Sequence, residues 1–92
     1  MSWGVKQTRR FGRVYKKLKK NIVTEVDKAV EVVAQNPDVG EQKKGDLSHL
    51  WVYKFRCRNQ LYLLGYTRED TLRLVYLEAV GSHENFYRDI KR

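Results

Sequence analysis

The chain has 92 residues, of which 41% are hydrophobic and 33% charged, and its formal net charge is +8. That length predicts one domain spanning residues 1–92, with a small core and modest stability, and the composition excludes a disordered chain. Cys57 is the only cysteine and His49 and His83 the only histidines, which excludes an internal disulfide and a cysteine-based zinc site, so no metal or cofactor is expected.

Trp3 to Lys6 reads as a short first strand. Phe11, Val14, Tyr15 and Leu18 then recur at the spacing of an amphipathic helix. Asn21 is a candidate cap for a second helix, whose apolar stripe is Ile22, Val26, Ala29, Val30 and Val33. Asn36-Pro37-Asp38 stops it, because the residue before proline is pushed out of the helical region. Val39 to Ser48 reads as loop. In LWVYKFRCR, Trp51, Tyr53, Phe55 and Cys57 alternate with Val52, Lys54, Arg56 and Arg58, the period of a strand with one apolar and one cationic face. LYLLGY is apolar on both faces and reads as a central strand. Residues 72–80 make a third strand, which Gly81 breaks, and Ser82 caps a helix running to Ile90. Strands joined by short turns form an antiparallel meander whose apolar face needs a cover, and the helical hairpin supplies it. The fold class is therefore α+β in two layers, a helical hairpin on an antiparallel sheet with a short C-terminal helix.

A chain this basic tends to meet a polyanion, although solubility alone also makes small proteins basic. Eight of the fifteen residues from Lys6 to Lys20 are Lys or Arg. Their geometry spreads Arg9, Arg10, Arg13, Lys16 and Lys17 over the exposed helix face. A solvated face usually mixes signs and this one does not, so these residues are candidate polyanion contacts. Lys54, Arg56 and Arg58 form a sharper row, each roughly 7 Å from the next along one strand face. Such a row can track a single-stranded phosphate backbone; it can also be an edge strand guarded by charge. In a helix starting near His83, His83 and Tyr87 stand one above the other. By spacing alone the pair also fits a polar helix start and a packed ring. MSWGVKQTRR lacks the apolar core of a signal peptide and no run approaches membrane-spanning length, so a cytoplasmic protein with no membrane partner is expected.

These residues resemble the RelE/ParE superfamily of toxins from type II toxin–antitoxin systems. The resemblance covers nearly the whole chain: the helical hairpin, GEQKKGDLSHLWVYKF leading into a cationic strand, the meander, and the terminal GSHENFYRDIKR. The ending is similar to the glycine–Ser/Thr–histidine ending of the YafQ branch and to the arginine-then-tyrosine ending of RelE. The resemblance implies a ribosome-dependent mRNA endonuclease acting without metal in the A site of the 70S ribosome, by attack of a ribose 2′-OH on the adjacent phosphate. Such chemistry needs a proton acceptor, a donor to the leaving 5′-oxygen and cations around the phosphorane. By this resemblance His83 is the general acid, Lys54 and Arg56 stabilise the phosphate, Tyr87 stacks on a base and Arg58 extends the RNA contact. It also makes the polyanion candidates Arg9, Arg10, Arg13, Lys16 and Lys17 candidate RNA contacts. The arginine of RelE's next strand falls nearest Tyr62, and no residue is assigned as base. A lysine serves as base only with a lowered pKa, and an arginine essentially cannot. A cognate antitoxin is the implied partner. The alternatives are a ParE-like DNA gyrase poison and a non-catalytic binding module on the same fold.

Overall fold

The computed structural model of the chain describes residues 2–90; Lys91 and Arg92 of the terminal motif lie outside the described residues. The elements are β1 (Gly4–Gln7), α1 (Arg9–Lys17), α2 (Lys20–Gln35), β2 (Glu41–Gln42), β3 (Trp51–Cys57), β4 (Gln60–Glu69), β5 (Leu74–Ser82) and α3 (His83–Ile90), with short 3-10 turns at Pro37–Val39 and Gly45–Leu47.

Local chemistry explains most boundaries. The Thr8 hydroxyl accepts a hydrogen bond from the Phe11 amide at 3.1 Å and so starts α1. Asn21 does not cap α2. It lies inside the first turn, and Lys19 holds the cap position with no side-chain hydrogen bond. Asn36 ends α2, and its side chain accepts from the Asp38 amide to open the following turn. The Ser82 oxygen accepts from the Asn85 amide at 3.4 Å, as a helix cap should, although β5 runs through Gly81 to Ser82 instead of breaking at Gly81.

The sheet order is β1-β5-β4-β3-β2, with β4 central as its two apolar faces require. It is antiparallel except for β1, which runs parallel to β5 at the edge. Between β3 and β4 the pair Cys57–Gln60 closes a two-residue turn of Arg58 (φ 53°) and Asn59 (φ 68°). Two left-handed residues match the twist of a tight hairpin.

Each face of the sheet carries its own core. On one face Leu64, Tyr66, Val75, Leu77 and Val80 pack with Phe11, Val26, Ala29 and Val33 of the helical hairpin. On the other, Val52, Leu63 and Ala79 pack with Leu50 and Phe86. The hairpin thus covers one side as expected, and α3 covers part of the opposite side. Gly65 makes that docking possible, since a Cβ there would stand 2.7 Å from the Phe86 ring.

Candidate functional site

The alternation of β3 decides what shares a face. Trp51, Tyr53 and Phe55 pack toward the hairpin core. Lys54 and Arg56 are exposed on the face that carries α3. Arg56 pairs across the ladder with Leu61, and Lys54 with Leu63. Leu63 pairs in turn with Gly81, and Tyr62 with Ser82. Position 83 therefore continues the row that holds Arg56 and Leu61, and His83 shares a small cavity with Gln60, Leu61, Ser82 and Glu84. Two strand cations and the first turn of α3 meet on one face.

His83 and Tyr87 meet edge to face on one side of α3, one turn apart as the helical spacing predicts. Their ring centroids are 5.8 Å apart at 74°. Tyr87 is half-buried and also meets Phe86 edge-on at 5.1 Å. The phenol is held by packing on the second core, while the imidazole stays exposed.

Two residues of this face sit in a stretch that reads as loop. Glu41 and Gln42 form β2, paired with Val52 and Trp51. The Lys43 amide continues the ladder by donating to the Leu50 carbonyl. That register puts Glu41 and Lys43 on the α3 side. The Lys43 ammonium lies 5.5 Å from the Tyr87 ring centroid and 3.5 Å from a Glu41 carboxylate oxygen. The Tyr87 phenol, helped by Glu41, holds Lys43 above the ordinary lysine range, against the opposing effect of burial. Lys43 is thus a fixed cation at neutral pH and no proton acceptor. A two-residue strand carries no periodicity, so the sequence offers no signal for these two.

The other basic residues scatter. Arg9, Arg13 and Lys16 line one groove beside β1, and Arg10 lines a separate cavity with Asp46, His49 and Glu78. Lys17 and Arg58 line a cleft between the helix junction and the β3–β4 turn. Arg58 stands in that turn, outside β3, so it does not extend the strand row. Tyr62, whose ring centroid is 5.9 Å from that of Phe55, lies on the hairpin side, away from α3. Cys57 is buried, its thiol pushed up chiefly by desolvation, and takes the core position expected of it. Among the described residues no group of three or more His, Cys, Asp or Glu is placed to hold a metal ion, and no helix is long and apolar enough to cross a membrane.

Comparison with known proteins places this arrangement in a family. The family model of the ParE-like toxin of type II bacterial toxin–antitoxin systems matches residues 5–91. The chain belongs to that family. Among solved structures it is similar to a chain of the toxin–antitoxin complex RelBE2 from Mycobacterium tuberculosis, with 21% identity, a TM-score of 0.76, and coverage of 90% of this chain and 93% of that one. A double arginine-to-alanine mutant of the E. coli toxin RelE in its free state matches at 21% identity and a TM-score of 0.72, covering 92% and 87%. The intact E. coli RelBE toxin–antitoxin complex matches at 21% identity and a TM-score of 0.69, covering 87% and 95%. These likenesses establish a RelE-like fold. Comparison with curated protein sequences yields no match.

Proposed function

We propose that this toxin is an mRNA endonuclease working in the ribosomal A site. The observation that carries the reading is the gathering of His83, Tyr87, Lys43, Lys54 and Arg56 on one face of the sheet. A histidine, a partly exposed aromatic ring and several cations suit an RNA strand and its reacting phosphate.

In this mechanism a ribose 2′-oxygen attacks the adjacent phosphorus. Its proton passes to water on this open face. The bond to the 5′-oxygen breaks, and that oxygen takes a proton from His83. The products are a 2′,3′-cyclic phosphate and a 5′-hydroxyl. Lys54 and Arg56 stabilise the charge that grows on the phosphorane, and Tyr87 stacks on a neighbouring base. The same reading makes the 70S ribosome and its mRNA partners of a cytoplasmic toxin. It adds a cognate antitoxin, since the M. tuberculosis and E. coli structures include toxin–antitoxin complexes.

A second reading has one specific observation behind it: the matching family is described as ParE-like. On it the chain poisons DNA gyrase and the α3 face has no nuclease role. Brief induction of wild type and His83→Ala in a bacterium separates the two. Growth arrest with in-frame message ends, absent in the mutant, is the expected result. Arrest with unbroken messages and gyrase-linked DNA breaks moves the case to gyrase. No arrest leaves a non-catalytic binding module on this fold.

A further inference from the structure

We infer that the cleft on the hairpin side, between the α1–α2 junction and the β3–β4 turn, is a second binding site for the same polynucleotide, receiving the strand after it leaves the α3 face. The cleft has a volume of 540 Å³ and is lined by Lys17, Lys19, Arg58, Gln60 and Tyr62, among others, with no acidic residue in its lining. Lys17, Lys19 and Arg58 are exposed and enter no ion pair among the described residues. Cations gathered this way repel one another, and a phosphate between them relieves the repulsion. The uncapped start of α2 at Lys19 adds partial positive charge at the same end.

Two further features select a nucleic acid strand over a free anion. Tyr62 is half-buried on the cleft wall, next to Phe55, and offers a base an aromatic surface beside the cations. The cleft also adjoins the α3 face at the end of β4, where Gln60 lines both this cleft and the cavity at His83. A strand held at Arg56 and His83 reaches Lys17 and Lys19 by turning around the end of β4, past Arg58. Arg58 has φ 53°, a conformation that Asn and Gly take readily and a long side chain seldom does.

The inference takes the class of the polyanion from the proposed nuclease reading, and its test separates the two. Fluorescence anisotropy would follow uncleavable 2′-O-methyl RNA, as a trinucleotide and as an octanucleotide, over a salt series. The trinucleotide fits the α3 face alone; the octanucleotide reaches both sites. Lys19→Gln with Arg58→Gln should weaken the octanucleotide about fivefold or more and leave the trinucleotide unchanged. The salt dependence of octanucleotide binding should flatten by about 0.7 in log–log slope for each cation removed. Tyr62→Leu should weaken the octanucleotide with little change in slope, and Tyr62→Phe should restore it, which a general loss of folding would not allow. Equal losses for both lengths, or none for the octanucleotide, overturn the second site while the α3 face keeps its role. If the wild type binds neither RNA, the nuclease reading falls and this inference with it.

Discussion

The ammonium of Lys43 stands 5.5 Å from the centre of the Tyr87 ring, joining a two-residue edge strand to the C-terminal helix. The contact does two jobs in the proposed site. It fixes the ring that stacks on the RNA base, and it holds Glu41 beside that ring through the 3.5 Å ion pair. Lys43→Met keeps most of the stem and removes the charge. Single-turnover cleavage on programmed ribosomes should fall about tenfold, the equivalent of one partly desolvated cation–π contact. Stability should change by only about 0.5 kcal/mol, because the Glu41 carboxylate is largely exposed. The pKa of Lys43 is raised in the fold, so its contribution is complete below the ordinary lysine value of 10.5 and is lost as pH climbs through the raised value. A neutral-pH assay therefore reads the whole effect. Unchanged cleavage would remove Lys43 from the site.

The seat of α3 rests on Gly65. A methyl group there would come within 2.7 Å of the Phe86 ring. The ring is 1% exposed and packed against Leu63 and Ala79, leaving little room to move. Gly65→Ala should cost about 1–3 kcal/mol as an overpacking change, and most of the damage should fall on α3. Hydrogen exchange should show faster exchange in residues 83–90, with the helical hairpin still protected. Uniform loss of protection would mean that α3 docking is inseparable from the rest of the fold.

Arg68 closes the end of the sheet far from α3. Its guanidinium stands 5.1 Å from the Trp3 ring centroid and 4.8 Å from that of Trp51, and it pairs with Asp38 at 2.7 Å and Asp70 at 2.8 Å. One side chain thus ties the N-terminal segment, the turn after α2 and two strands. Only the planar fork of arginine stacks and pairs at once. Arg68→Lys should lower stability by about 1–2 kcal/mol in urea unfolding and change tryptophan fluorescence. Cleavage by the folded protein should be unaffected. A neutral substitution would show that the two aspartates and two rings act independently.

The contrast among these residues explains what was legible in the sequence. The strand Trp51–Cys57 and the His83–Tyr87 pair were readable because period two and the i, i+4 spacing project directly onto faces. Lys43 and Glu41 were hidden, since their place depends on pairing with β3, a tertiary register that two residues do not encode. The parallel direction of β1 was hidden for the same reason. The basic run from Lys6 to Lys20 was misleading in another way. It is continuous in sequence, but the helix turns Arg10 toward one side of the fold and Arg9, Arg13 and Lys16 toward another. Docking of α3 opposite the hairpin rests on Phe86 meeting Gly65, a match of one ring to one missing side chain.

Tyr66 makes the fold less stable on the alkaline side. Its side chain is fully buried, and its hydroxyl donates to the Pro37 carbonyl at 2.5 Å and accepts from the Gly40 amide at 3.1 Å. Burial is the main reason its pKa is raised above 10.0; the Gly40 amide and Arg68 pull the other way. The unfolded chain therefore ionises first. Stability linked to Tyr66 is complete below pH 10.0 and disappears as pH rises through the higher folded value. Tyr66→Phe removes that dependence, and it costs about 1–3 kcal/mol at neutral pH by leaving the Gly40 amide and Pro37 carbonyl without their partner. Urea unfolding of both proteins at neutral pH and above pH 10.0 tests the pair of effects. The gap between them should narrow on the alkaline side. Tyr15 and Lys43 also have raised pKa values, but both proteins carry them, so their contributions cancel in the difference. Parallel curves would show that Tyr66 titrates alike in the folded and unfolded chains, so that its burial does not couple to pH.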